Sequence, residues 1–464
     1  MHPVRLACAP ALGAQCPPKA CAAAGAQGPE PPEDETGAGT ARELTPQSGD
    51  GDRPCGSKRE PVRSGDPARI DRRARGGGFS FDSREWSGAF GDVGTDWPLL
   101  AGAIAASGLD AARALAVFGL CHLISGWLYR LPMPVQPLKL VAALAIAHGF
   151  PASVLAGAGI SVAALMFVLA ATGALDRLRE IVPAPVVRGI QLGLGLRLAW
   201  LAASRYIAGS GEGGWILAAA SAAFLAVTAK WRRVPPGLAL LALGGATSAF
   251  IDLRAVSVLS GSVPAQPPFP PSAADLWAGF ILLAIPQIPL SLGNAVIATK
   301  SLADDWFPER GVKVRSLGYS YAALNLAAAV LGGVPVCHGA GGMAGHVAFG
   351  ARTGGSVLIY GGFFLLAALL ARLGTDVLSV VPLAVLGVML LREGAVLAGR
   401  IASLGEDRWA WAVALGVGIA SAAVPNGFLW AALGGTAAAH ALRRVSGRAR
   451  ARAVFRLRRP GTSG

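Results

Sequence analysis

Leu131-Pro-Met-Pro-Val-Gln-Pro-Leu-Lys139 and Gly333-Val-Pro-Val-Cys-His-Gly-Ala-Gly-Gly342 interrupt the apolar run of this chain at corresponding places. Pro134-Val135-Gln136 lines up with Pro335-Val336-Cys337 at an offset of 201, Gly91-Asp92 with Gly293-Asn294 at 202, and Val182-Pro183 with Val381-Pro382 at 199. Three motifs in one order at nearly one spacing mark two halves of a duplicated unit. The prolines remove backbone N–H donors and hold the residues before them extended. Each stretch therefore reads as a segment that enters extended and turns helical only part-way across. Matched interruptions of this kind in two halves point to a transporter's substrate site.

Working outward, the rest of the chain supplies the membrane. Of 464 residues, 53% are hydrophobic and 15% charged, far from the balance of a soluble domain. Apolar windows of about 17 to 25 residues recur from Trp86 onward, the length that crosses a hydrocarbon core. The first half reads as seven segments, near 86–106, 110–127, 135–147, 151–172, 185–203, 215–230 and 237–251. The second half repeats the count near 276–299, 319–331, 337–349, 357–371, 378–391, 409–424 and 428–442. Seven is odd, so the second half enters with the opposite orientation. The expected fold is an all-α polytopic membrane protein, a seven-plus-seven transmembrane inverted repeat with two interrupted half-helices.

The expected organisation is a tail over 1–80, repeats over 81–251 and 276–442, an extracytoplasmic loop over 252–275 and a basic tail over 443–464. Lys and Arg test the orientation, because short cytoplasmic loops carry their excess. With the N-terminus inside, the clusters Arg177/Arg179, Lys230/Arg232/Arg233 and Lys313/Arg315 fall inside, as does the C-terminal tail with both Arg443 and Arg444. The net charge of +14 is thus a topology signal and an attraction to lipid headgroups. It is no nucleic-acid footprint, because no basic stripe interleaved with aromatics lies on a soluble domain. Residues 1–80 are rich in Pro, Gly, Ala and Arg, lack periodicity and read as a disordered cytosolic tail. Four of the six cysteines lie there at spacings that match no zinc pattern and the other two are intramembrane, so no disulfide framework is implied, and neither a metal nor a cofactor is expected.

The interruptions carry the chemistry. Pro137, Leu138 and Lys139 would open one helix near the bilayer midplane, and Gly339, Ala340 and Gly341 the other. A helix N-terminus offers unpaired N–H groups and about half a positive charge, which suits an oxyanion. Gln136 and His338 flank the two starts and can donate from outside the backbone, although a buried packing histidine is the plain alternative. Lys139 either neutralises a bound anion or pairs with a carboxylate. Asp92 is an intramembrane acid whose repeat mate, Asn294, is neutral. It either takes up a proton that offsets the charge of an anion or pairs with Lys139, Arg188 or another cation. Cys337 reads as packing. An intramembrane enzyme built on Cys337 and His338 finds no partner carboxylate or metal-ligand spacing.

These same residues resemble a known family. Ser87-Gly-Ala-Phe-Gly-Asp-Val-Gly-Thr95, Pro132 to Lys139, Val186-Val-Arg-Gly-Ile-Gln-Leu-Gly193, Leu292-Gly-Asn-Ala-Val-Ile-Ala298 and Pro335 to Gly342, followed by Phe349 to Gly354, are similar to signatures of the molybdate branch of the sulfate-permease superfamily. The likeness runs from Phe81 to Leu442, and Asp96-Trp97 departs from it where apolar residues are expected. It implies a mobile core domain against a gate domain, uptake of molybdate, a homodimer and no enzymatic activity. The plasma membrane is the expected site, with both termini cytosolic. A sulfate or tungstate carrier is the alternative, since charge and tetrahedral shape are shared. A nucleobase-type carrier fits less well, because Asn294 stands where a carboxylate would serve it.

Overall fold

The computed structural model describes residues 78–175, 182–231, 234–251, 270–424 and 426–441. The tail expected over 1–80 lies outside them except for its last three residues, as do residues 252–269 of the loop and the whole segment 443–464.

The first half runs α1 (Ser83–Ala89), α2 (Val93–Ser107), α3 (Ala111–Tyr129), β1 (Val135–Pro137), α4 (Lys139–His148), α5 (Ala152–Thr172), α6 (Ala184–Leu201), α7 (Glu212–Thr228) and α8 (Pro236–Ile251). The second runs α9 (Ala273–Trp306), α10 (Val314–Leu331), β2 (Val336–His338), α11 (Ala340–Ala348), α12 (Gly355–Arg372), α13 (Leu383–Gly399), α14 (Arg408–Ala423) and α15 over 427–441. With α1 and α2 as one broken crossing, each half contributes seven passes. Local chemistry sets the ends. Asp110 accepts from Arg113 N at 2.7 Å to start α3, and Gly149 (φ 67°) and Gly332 (φ 77°) close α4 and α10 in the left-handed conformation open to glycine. Among the described residues five helices, α3, α5, α6 with its continuation, α9 and α12, are long and apolar enough to span a membrane. Trp127, Trp200, Ile216, Trp409 and Trp430 are exposed on the outer helix surfaces, where lipid would meet them.

The two halves are related by an internal two-fold. Helix α3 packs on α12, and their repeat mates α10 and α5 pack on each other; α6 packs on α14 as α13 packs on α7. At the centre β1 and β2 form an antiparallel ribbon with Val135 opposite His338, Gln136 opposite Cys337 and Pro137 opposite Val336. Gln136 and Cys337 are themselves repeat mates, so the axis passes through that pair. Both half-helices therefore start from one ribbon. Pro137 is the last strand residue rather than the first helical one: Leu138 N donates to Pro335 O at 2.9 Å and carries the ladder one step further, so α4 begins at Lys139.

Polar side chains of neighbouring helices fasten the ribbon. Asn325 on α10 donates to Val336 O at 2.6 Å and accepts from Val336 N at 3.0 Å, and Ser125 on α3 donates to Met133 O at 2.7 Å. A second tie joins the halves at one end. Glu85 on α1, 2% exposed, accepts from the backbone N–H groups of Arg352 (2.7 Å), Thr353 (2.9 Å) and Ser356 (3.0 Å) at the start of α12. Three amides depend on one carboxylate. Glu85→Ala should lower stability by roughly 3 kcal/mol, seen as a lower melting temperature in detergent, while Glu85→Gln, which keeps one acceptor oxygen, should lose less.

The bundle falls into two groups of helices, α1–α5 with α9–α12 and α6–α8 with α13–α15. They meet where α2 packs on α13 and α9 packs on α6. The last helical turns of α13 run past the expected end at Leu391 to Gly399, which carries Glu393 into the interior at 6% exposure.

Candidate anion site

Each interrupted segment ends at a helix start, and the two starts differ. Helix α11 has Gly339 at its N-cap and no side chain capping it, so its first amides keep their donors. Helix α4 is partly capped from outside, since Leu140 N donates to Gln287 Oε1 at 3.2 Å. Gln287 is held in turn by Ser291 (3.2 Å), which meets the Tyr321 hydroxyl at 2.7 Å. The donor-rich end belongs to the second half.

Side chains of the first half lean over that end. Gln136, fully buried, donates through Nε2 to Asp92 Oδ2, and its Oε1 has no partner. Lys139, 8% exposed, forms an ion pair with Glu393, whose other oxygen accepts from Thr95 Oγ1 at 2.9 Å. Glycine makes this approach possible. A Cβ on Gly339 would stand 1.6 Å from Gln136 Oε1, and one on Gly342 would stand 2.6 Å from Asp92 Oδ2. At Gly341 a Cβ would reach only Lys139 Nζ at 3.9 Å and Gln136 Nε2 at 4.0 Å. The space beside Gly341 is thus bounded by an ammonium, an amide N–H₂ and the uncapped end of α11.

Asp92 stands at the break between α1 and α2, a break that is also a glycine contact. Gly91 lies against Gly345 of α11, where a Cβ would meet the Gly345 carbonyl oxygen at 2.3 Å. One turn on, Asp96 is fully buried, accepts from the Tyr360 hydroxyl at 3.1 Å through Oδ2 and leaves Oδ1 unpaired. Asp92, Thr95 and Asp96 thus lie within one turn at the start of α2, where Thr95 holds Glu393 and Glu393 holds Lys139. The acid at position 96, which departed from the expected motif, joins this cluster.

The structure brings together Asp92, Gln136, Pro137, Leu138, Lys139, Gly339, Ala340 and Gly341, and turns His338 away. Residues opposite one another in an antiparallel pair share a face, and neighbours along a strand alternate. Gln136 therefore shares its face with Cys337, and His338 points to the other. There His338 Nε2 meets Ser320 Oγ at 2.8 Å and its ring lies edge-on to Tyr129, 5.3 Å between centroids. Asn294 sits half-buried in the π-helical stretch Ser291–Ala298 of α9, which packs on β2 and α11, and its carbonyl accepts from Thr299 Oγ1 at 3.2 Å. Asp92 meets Gln136 rather than a cation, and the cation Lys139 meets Glu393. Sequence reasoning missed Glu393 and Thr95. The only signal for Glu393 was an acid followed by a further apolar stretch, Gly394 to Leu397, which reads more naturally as a loop.

Beyond the other end of α4 a small cleft of about 70 Å³ opens between α4, α6, α9 and α15, lined by Leu144, His148, Arg197, Pro286 and Phe428. Arg197 Nε is buried there without a hydrogen-bond partner. The cleft lies between the two helix groups, on the α4 side of the ribbon.

Comparison with known proteins agrees with this architecture. The transmembrane domain of a cyanobacterium bicarbonate transporter, BicA, superposes with a TM-score of 0.54 at 17% identity, covering 78% of this chain and 98% of that one. SLC26A9 superposes with a TM-score of 0.58 at 14% identity over 77% of this chain and 64% of its own. Both show the seven-plus-seven inverted-repeat fold. In sequence, Molybdate transporter 2 of Arabidopsis thaliana is 34% identical over 396 residues, covering 75% of this chain and 85% of the relative. Molybdate transporter 1 of the same plant is 32% identical over 359 residues, with 68% and 78% covered. The family model described as "Molybdate transporter of MFS superfamily" matches residues 84–198 and 279–397, which hold both strands of the ribbon, both half-helices and Glu393. The chain is an integral, multi-pass membrane protein and belongs to the molybdate transporter family.

Proposed function

We propose that the protein carries molybdate across the membrane by alternating access. In this proposal the dianion sits beside Gly341, held by Lys139 Nζ, Gln136 Nε2 and the first amides of α11, with Leu138 and Ala340 as the apolar walls of the two helix starts. The observation that carries the reading is the space at the uncapped start of α11, which Lys139 Nζ and Gln136 Nε2 border at 3.9 Å and 4.0 Å from a Cβ placed on Gly341. Backbone amides at a helix start together with an ammonium and an amide N–H₂ suit an oxyanion. Gln136 and Lys139 each have one carboxylate partner, so each can turn part of its donor set to a ligand. His338 serves this site indirectly, by holding β2 against α10. Asn294 borders α11 from α9 as a neutral counterpart to Asp92. The cleft with Arg197 is the approach from one side. The carrier works as a homodimer in the plasma membrane with both termini cytosolic, the orientation that the Lys and Arg distribution supports.

Uptake of radiolabelled molybdate by vesicles containing the purified chain tests the reading. Saturable uptake that tungstate competes with more strongly than sulfate is expected. Sulfate uptake that exceeds molybdate uptake would replace the substrate, and no oxyanion uptake would remove the reading.

Asp92 is the proposed proton site of this cycle. Three carboxylates and one ammonium share a buried volume that must also admit a dianion, and uncompensated buried charge costs several kcal/mol per ion. Inward movement of that dianion against a negative-inside potential adds about 2.3 kcal/mol per charge per 100 mV. A proton on Asp92 reduces both costs. Asp92→Asn should therefore keep molybdate binding within roughly threefold, since Asn can still accept from Gln136, while uptake loses its response to an imposed pH gradient. A variant that keeps the full response would return Asp92 to a purely structural role.

A further inference from the structure

The transport reading leaves Glu393 without a task. It lies on α13, in the group α6–α8 and α13–α15, whereas Lys139 on α4 and Thr95 on α2 belong to the other group. Both of its oxygens are engaged across that boundary, one by the ammonium of Lys139 and one by Thr95 Oγ1 at 2.9 Å. The same Lys139 Nζ borders the space beside Gly341. One ammonium therefore faces two places for negative charge, the tethered carboxylate and the ligand space. In a buried setting a cation that is already neutralised attracts a second anion weakly, so carboxylate and ligand compete.

We propose that Glu393 is a tethered competitor of the transported oxyanion, and that their exchange on Lys139 ties and unties the two helix groups. In the empty carrier the carboxylate holds Lys139 and Thr95, and sliding one group past the other would strand both members of a buried ion pair. When the oxyanion enters beside Gly341 it takes over the ammonium, Glu393 is released, and the groups are free to move. The empty carrier is thereby held and the loaded carrier moves. Glu393 acts through Lys139 and does not touch the substrate; it is a positioning residue. The inference rests on the molybdate reading above.

Equilibrium binding of molybdate to the purified full-length chain in detergent, measured by calorimetry at fixed pH and ionic strength, tests the competition. Glu393→Gln should bind molybdate about tenfold more tightly than wild type. Glu393→Asp, whose shorter side chain draws the carboxylate back from Lys139, should fall between the two. Lys139→Gln should bind more weakly, and the double variant with Glu393→Gln should bind no more tightly than Lys139→Gln alone, because the competitor then has nothing to compete for. A merely structural ion pair would give weaker or unchanged binding on loss of Glu393, and that result in folded protein overturns the proposal. Where Glu393→Gln is not monodisperse on gel filtration, Glu393→Asp decides by the same criterion. In vesicles, wild type should exchange internal for external molybdate faster than it takes it up net, and Glu393→Gln should lose that advantage. An advantage that survives the substitution overturns the tie between the helix groups. Wild-type protein that binds no tetrahedral oxyanion removes the transport reading and this inference together, whereas wild-type binding with an unshifted Glu393→Gln removes the inference alone.

Discussion

Gly339→Ala should abolish molybdate uptake by protein that still reaches the membrane. The backbone at Gly339 has φ −100° and ψ 119°, which alanine adopts freely, so no conformational penalty enters. The effect is steric. A Cβ there would lie 1.6 Å from Gln136 Oε1 and 2.2 Å from the amide carbon, and Gln136 is fully buried between Asp92 and α11 with little room to retreat. The amide must leave the site or the ribbon must open, and displacement of a substrate-positioning group by an ångström costs roughly a hundredfold in activity. Initial uptake rates normalised to the amount of protein in the vesicles check this. Gly341→Ala is the informative contrast, because its Cβ meets nothing closer than Lys139 Nζ at 3.9 Å. That methyl group fits the protein but occupies the ligand space, so Gln136 should stay in place and binding should weaken by about tenfold. Equal and small effects of both substitutions would place the anion elsewhere.

Lys139→Met should destabilise the protein and eliminate high-affinity binding together, and the two losses should separate in a double variant. Glu393 is 6% exposed and Lys139 is the cation in direct ion-pair contact with it among the described residues. Removing one partner of a buried pair leaves a charge without compensation, which typically costs about 3–5 kcal/mol. The expected readouts are a clearly lower melting temperature in detergent and no measurable molybdate binding. Adding Glu393→Gln removes the stranded charge, so the melting temperature should return most of the way while binding stays absent. Recovery of binding in the double variant would show that the ammonium is no ligand, and a single variant as stable as wild type would show that water or a proton compensates Glu393.

Much of this molecule could be read from the chain. The offset of 201 between Pro134 and Pro335 placed the two strands that pair at the centre, and the odd number of segments per half set the inverted repeat. Helix ends such as those at Asp110, Gly149 and Gly332 are local events, written by capping groups and by glycine's access to positive φ. Asp92, Gln136 and Lys139 were legible as a group because a charged or amide side chain inside an apolar segment is costly and stands out by itself. What the tertiary structure alone decided is which of these groups face one another. His338 follows the helix-flanking pattern as well as Gln136 does, yet the register of the ribbon, Gln136 opposite Cys337, turns it to the far face. A side chain's face depends on which residue of a distant strand it meets, and no nearby sequence records that. Glu393 lies 254 residues from Lys139, and only the packing of α13 on α2 brings the carboxylate to the ammonium. The chain determined where the membrane segments break, because breaking is a property of proline and glycine over a few residues. Packing decided which charges compensate one another, because pairing is a property of helices that meet only once the bundle has closed.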